Sequence, residues 1–273
     1  MNLRTLKDTP PWDWPEGTGK MLLDFLRDDR TSESDLLLAA ELAGDLTVIN
    51  EELVEALLSI LRRGDRPERV RGRAAISLGP ILEHADTQGF EDADDLPITE
   101  RAFHRLQESL RKLYRDANVP KEVRRRILEA SVRAPQDWHE DAIRAAYSSG
   151  DEVWRLTAVF CMRFVRGFEE QILEALDTEN PDIHYEAVVA AGNWGLDAAW
   201  PQVAALVSSK KTDKPLLLAA IEAIASIRPH EAVRMLDDLA DSHDEDIAAA
   251  AEEARARAEG PSGEDDDDDD CPY

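Results

Sequence analysis

Apolar and small residues recur along this chain with helical rather than strand spacing. Seven segments share an acidic or Pro-containing lead-in followed by an apolar anchor, at Leu36, Val70, Val123, Val153, Ile183, Leu216 and Ile247. Four residues past each anchor stand Ala40, Ala74, Ile127, Thr157, Ala187, Ala220 and Ala251; eight past stand Gly44, Leu78, Ser131, Cys161, Ala191, Ile224 and Arg255. Positions i, i+4 and i+8 stack on one face of an α-helix, and small side chains in that row let a neighbouring helix approach closely. The closing Arg255 breaks the row, as the water-facing cap of a stack should. Successive anchors are 34, 53, 30, 30, 33 and 31 residues apart. A steady period near 30 is the mark of repeated supersecondary units that bury their apolar faces only against one another.

A second amphipathic segment follows, beginning fifteen residues after the anchor at Glu51, Trp138, Phe168, Ala198 and Glu231. Between the two segments, Gly195 can adopt the left-handed conformation that closes a helix, and Asp197 can cap the next. No alternation at period two appears, so no strands are expected. The pattern predicts an all-α fold, a right-handed α-solenoid of stacked antiparallel helix pairs, about six pairs and a terminal helix. The 53-residue interval holds HADTQGFEDADDLP, residues 84–97, and reads as an exposed acidic loop inserted between the two helices of one repeat. The chain divides into an N-terminal Pro/Trp segment with a capping helix (1–31), the repeats (32–258) and an acidic tail expected to be disordered (259–273).

The stretches RVRGRAAISLG, IHYEAVVAAGNWGLDAAWPQVAAL and KPLLLAAIEAIASI resemble the short HEAT-like repeats of phycobilisome lyases and many bacterial proteins. The resemblance covers roughly residues 32–258 and is strongest over 183–241. It implies an α-solenoid with a binding role along a concave surface lined by the second helices, and no particular reaction. In the family an Arg after the anchor pairs with acidic residues of the adjoining repeat. Here that Arg survives as Arg71 and Arg124, and the position holds Leu37, Trp154, His184, Leu217 and Ala248 elsewhere.

Charge alters the picture in one region. Against 58 Asp+Glu stand 32 Lys+Arg, a net charge of -26, which opposes a nucleic-acid or anionic-membrane role. Residues 61–134 are the exception, with 16 Lys+Arg and 13 Asp+Glu, whereas the remainder has 16 and 45. Arg69, Arg71, Arg73, Arg124 and Arg125 fall there in adjacent repeats and form a candidate basic strip for an acidic protein segment; the bland reading pairs them with neighbouring carboxylates. Trp138, Trp154, Trp194 and Trp200, in consecutive repeats, are candidate partner anchors or else wedges between repeats.

Other chemistry fails on inspection. GTGK at 17–20 lacks the earlier Gly of a phosphate loop, where Trp14 stands, and the following Ser or Thr, where Met21 stands. The six His form no pair at metal-ligand spacing and no CxxC accompanies them, so no metal or cofactor is expected. Two Cys and the absence of an apolar N-terminal run suggest a cytoplasmic protein, and the longest apolar run is far too short for a membrane span. The sequence therefore suggests a monomeric, non-enzymatic scaffold that binds a protein or peptide. The alternative is an enzyme using the same groove, of bilin-lyase or DNA-glycosylase type, which needs a deep cleft with a carboxylate of raised pKa.

Overall fold

The computed structural model describes residues 2–91 and 96–259, in two compact units that meet in sequence at residues 165 and 166. Among the described residues every regular element is helical. Asp92, Asp94 and Asp95 of the expected acidic loop, and the acidic tail from residue 260, lie outside them.

The first unit contains α1 (Leu3–Lys7), α2 (Thr18–Arg27), α3 (Glu33–Ala43), α4 (Glu51–Arg62), α5 (Glu68–Ile76), α6 (Gly79–Gln88), α7 (Glu100–Arg115), α8 (Lys121–Ser131), α9 (Trp138–Tyr147) and α10 (Glu152–Cys161). Helices α3, α5, α8 and α10 pack in succession, and α2, α4 and α7 form the adjoining layer. Sequence dictates where they start. Ser32, Asn50, Thr99 and Asp151 each turn a side-chain oxygen onto an otherwise unpaired N–H of the first turn, and Pro67 and Pro120 stand directly before α5 and α8. The second helices α4 and α9 begin at Glu51 and Trp138, as the fifteen-residue offset requires.

The small-residue row is the spine of the packing. All seven positions four past an anchor, Ala40 through Ala251, are fully buried. The anchors vary more: Leu36, Val70, Val123 and Ile183 are buried, whereas Val153 is 49% exposed. Val153 lies in the first turn of α10, where its N–H is taken up by the Asp151 cap, and burial begins one turn later at Thr157.

The long interval is not all loop. His84 to Gln88 continue α6, because Ile81, Leu82 and Ala85 are buried on a helix that packs against α8; Gly89, at φ 71°, ends it. Beyond it α7 takes the place of a second helix beside α4. At the N-terminus, Leu3, Leu6, Leu22, Leu23 and Leu26 join the first unit's core. The Trp14 indole packs on that core and donates to the carbonyls of Leu6 (3.0 Å) and Thr9 (2.9 Å), whereas Trp12 is 79% exposed.

The second unit contains α11 (Glu169–Leu176), α12 (Pro181–Asn193), α13 (Trp200–Ser208), α14 (Lys214–Ile227), α15 (Pro229–Ala240) and α16 (Glu245–Glu259), with a 3₁₀ turn at Asp197–Ala199 leading into α13. Helices α12, α14 and α16 stack, and α11, α13 and α15 pack against α12, α14 and α16 respectively. Helices α12 and α14 approach closely at Gly192, whose missing Cβ would lie 2.7 Å from Cα of Ala223. Gly195, at φ 56°, closes the turn after α12 as its sequence position predicts. No helix of the described residues is long and apolar enough to cross a membrane.

Candidate functional site

The Arg-rich window divides by helix rotation. Arg71 and Arg125 are each only 5% exposed, so neither joins a surface strip. The Arg71 side chain runs inward and donates from Nε to the Leu61 carbonyl at 3.0 Å, satisfying an acceptor at the end of α4. That is a backbone partner rather than the acidic one the family resemblance implies. Arg125 is held on all sides: Nε and Nη2 donate to Glu122 (2.9 and 2.6 Å), and Nη1 donates to Glu129 (2.6 Å) and Thr157 (3.0 Å). The Thr157 hydroxyl in turn donates to Glu129 at 2.6 Å. The hydrogen bond from Arg125 holds the Glu122 carboxyl below the usual carboxylate range.

Arg69 and Arg73 do face outward. With Glu41, Glu68, Glu122 and Arg126 they line a cleft of about 410 Å³ across α3, α5 and α8. Three arginines there meet three glutamates, with Arg73 3.9 Å from Glu41 and Arg126 3.1 Å from Glu122. The cleft balances its own charge.

Arg124, one residue from Arg125, points elsewhere. It joins Tyr114 of α7, Lys121 of α8, Ser149 and Asp151 of the α9–α10 turn, and Trp154 of α10 around an open pocket of about 280 Å³. The Arg124 Nε is buried without a hydrogen-bond partner. Lys121 and the Trp154 indole N–H likewise have no hydrogen bond or ion pair among the described residues. Asp151 Oδ1 accepts from the Val153 N–H (3.0 Å), and Ser149 donates to the Ala146 carbonyl (2.8 Å). Tyr114 forms one wall, its ring 5.0 Å from that of Trp138, and burial pushes its phenol pKa upward. The pocket thus offers two cations and two aromatic polar edges with no partner of their own, over an apolar floor. It also unites three of the sequence candidates, Arg124 and Trp154 in its wall and Trp138 behind Tyr114. Sequence reasoning passed over Tyr114 and Lys121; the clue was the short Pro-ended turn 116–120 that brings the end of α7 to the start of α8.

Trp138 itself is 6% exposed, its indole donating to Gln136 Oε1 at 2.7 Å. Beneath it, His139 is fully enclosed. Its Nδ1 accepts from the Gln136 N–H (2.8 Å), which leaves the hydrogen on Nε2 to donate to Ser131 Oγ (3.0 Å). Burial depresses its pKa to about 4. The unfolded chain therefore takes up this proton first, and the stability His139 contributes is complete above pH 6.5 and is lost as pH falls towards 4. Between pH 7.5 and 5 the loss should be about 2 kcal/mol. Urea unfolding read by hydrogen exchange in α8 and α9 checks it: His139→Gln should flatten this pH dependence, and an unchanged dependence would remove His139 as its source.

The other two tryptophans belong to the second unit. Arg166 lies over the Trp194 ring at 4.5 Å, and Arg228 lies 5.6 Å from the Trp200 ring while binding Asp197 through two nitrogens (2.6 and 2.9 Å). Both rings are half-buried under an arginine.

The family model for HEAT repeats matches residues 169–256. This stretch of the chain is similar to HEAT repeats. The HEAT match falls wholly in the second unit, from the start of α11 into α16. Among solved structures, human deoxyhypusine hydroxylase in complex with glycerol is similar at 17% identity, over 95% of this chain and 89% of that one, with a TM-score of 0.41. Two engineered proteins are similar at 19% identity (89% of this chain, 68% of the other, TM-score 0.43) and 21% identity (90% and 97%, TM-score 0.36). No curated protein matches the chain. Among the described residues, no group of three or more His, Cys, Asp or Glu could hold a metal ion.

Proposed function

We propose that this protein is a non-enzymatic HEAT-repeat binding protein that recognises an acidic segment of a protein partner through the pocket of Tyr114, Lys121, Arg124 and Trp154. The carrying observation is the contrast between neighbours: Arg125 is fully paired, whereas Arg124 and Lys121 stand unpaired beside two aromatic side chains. A carboxylate entering the pocket gains charge-assisted hydrogen bonds from donors that have no acceptor to give up. An adjacent apolar or aromatic residue of the partner can lie on Trp154, the kind of side chain that anchors interfaces. The pocket opens where one helix pair turns into the next, not along a groove of second helices. An enzyme of bilin-lyase or DNA-glycosylase type would need a carboxylate to act on substrate, and the one carboxylate lining the pocket, Asp151, already caps α10 through Oδ1.

Fluorescence anisotropy with short labelled peptides tests this reading. A peptide of Glu residues flanking one Trp should bind, and Arg124→Ala or Trp154→Ala should each weaken it about tenfold, equivalent to about 1.4 kcal/mol. Tighter binding of a Lys-rich control, or indifference to both substitutions, would overturn the reading.

A further inference from the structure

Helix α7 carries a second surface that the pocket does not use. Residues 101, 105, 108, 112 and 115 follow one another at steps of four, three, four and three, so they lie along one face, and all five are exposed. They are Arg101, Arg105, Glu108, Lys112 and Arg115, a row reading plus, plus, minus, plus, plus over about 21 Å of helix. In a chain of net charge -26 such a row would be expected to attract internal carboxylates, yet none of its four cations makes a hydrogen bond or ion pair among the described residues. On the adjoining helix, Glu51 of α4 feels Arg101 and Arg105 without pairing directly with either, and its Oε1 accepts from the N–H and hydroxyl of Thr99. The flanking Arg111 has a buried Nε without a partner. Across α7 the opposite face, with Ala102, Phe103, Leu106 and Leu110, is locked into the core, so the row is presented rigidly.

We propose that this face of α7 docks a helical segment of a protein partner whose own surface reads acid, acid, base, acid, acid at the same four-and-three spacing. Glu108 decides between polyanions and such a helix. A nucleic-acid strand or a uniform acidic run would set a negative charge against Glu108, whereas a helix with a Lys or Arg at its middle position satisfies all five side chains. Helical repeats of three and four residues also keep two antiparallel helices in register over this length. The surface extends the acidic-partner reading of the pocket, since Arg115 follows Tyr114 in sequence, but it stands on different residues and can fail separately.

The test uses the full chain and two labelled Ala-rich helical peptides, one carrying four Glu around a central Lys at heptad spacing and one carrying Glu at all five positions. The wild type should bind the mixed peptide several-fold more tightly, with affinity falling as salt rises. Arg101→Glu with Arg105→Glu should weaken the mixed peptide about tenfold, and the milder Arg101→Gln with Arg105→Gln should weaken it in the same direction while circular dichroism reports an unchanged fold. Glu108→Lys should reverse the preference towards the all-Glu peptide. Trp154→Ala should leave all four results unchanged, which separates this surface from the pocket. Equal binding of the two peptides, indifference to the Arg101 and Arg105 changes, or tighter binding of a single-stranded DNA oligonucleotide through the same residues would each overturn the proposal.

Discussion

Replacing Arg125 by Met should destabilise the first unit by about 3 kcal/mol, the lower end of the cost of breaking a buried ion pair, because Glu129 loses one of its two cations. Glu129 is 8% exposed and loses its 2.6 Å hydrogen bond from Arg125, and Thr157 loses the guanidinium while still donating to a carboxylate that nothing neutralises from that side. Arg126 remains, with Nη1 2.7 Å from Glu129, but it is more exposed and works from the other oxygen. The double variant Arg125→Met with Glu129→Leu should recover most of the loss, since replacing both partners of a buried pair by apolar groups costs far less than removing one. Arg124→Glu, one position along, should change stability by no more than about 0.5 kcal/mol, as expected for a side chain without internal partners. Urea unfolding followed by hydrogen exchange in α8 and α10 measures all three. Equal losses for Arg124→Glu and Arg125→Met would contradict the division of roles between them.

That division explains how far the sequence could be read. A run of three arginines looks like one basic strip, but each residue turns about 100° around a helix, so Arg124, Arg125 and Arg126 leave α8 in three directions. Burial of Arg125 depends on where α10 sets Thr157, and no local pattern encodes that distance. The small-residue row was legible for the opposite reason. Ala40, Ala74, Ala187 and Ala220 are small because a helix lies against them, so their spacing records tertiary packing directly. The helical class and the starts of α4 and α9 followed from that row. Helix α6 did not, because His84 to Gln88 sit in a polar stretch and are held by only a few buried neighbours, Ile81, Leu82 and Ala85. The pocket was half legible: Arg124 and Trp154 stood out by type, while Tyr114 and Lys121 come together only through the turn between α7 and α8. The face of α7 was written plainly in the sequence at heptad spacing, yet the charge count over residues 61–134 averaged it with the acidic stretch before it.

The second unit offers the sharper test of the packing itself. Gly192 lies in the last turn of α12, where helix propensity alone would make Ala about 1 kcal/mol more stable than Gly. Here the sign should reverse. A Cβ at Gly192 would come 2.7 Å from Cα and 2.8 Å from Cβ of Ala223 on α14, and the first of these is backbone that no rotamer change can move. Gly192→Ala should therefore destabilise the unit by about 1–3 kcal/mol, and Gly192→Val by about 3 kcal/mol or more, because overpacking so close an approach forces whole helices apart. Introducing Ala223→Gly into the Gly192→Ala background should restore only part of the loss, since it relieves the clash with the Ala223 methyl group and leaves the clash with the backbone of α14 in place. Thermal unfolding by calorimetry, with hydrogen exchange of α12 and α14 to localise the change, provides the measurement. A stabilised Gly192→Ala would mean that α12 and α14 are not packed at this distance, and that the glycine is present for some reason other than the close approach of these two helices.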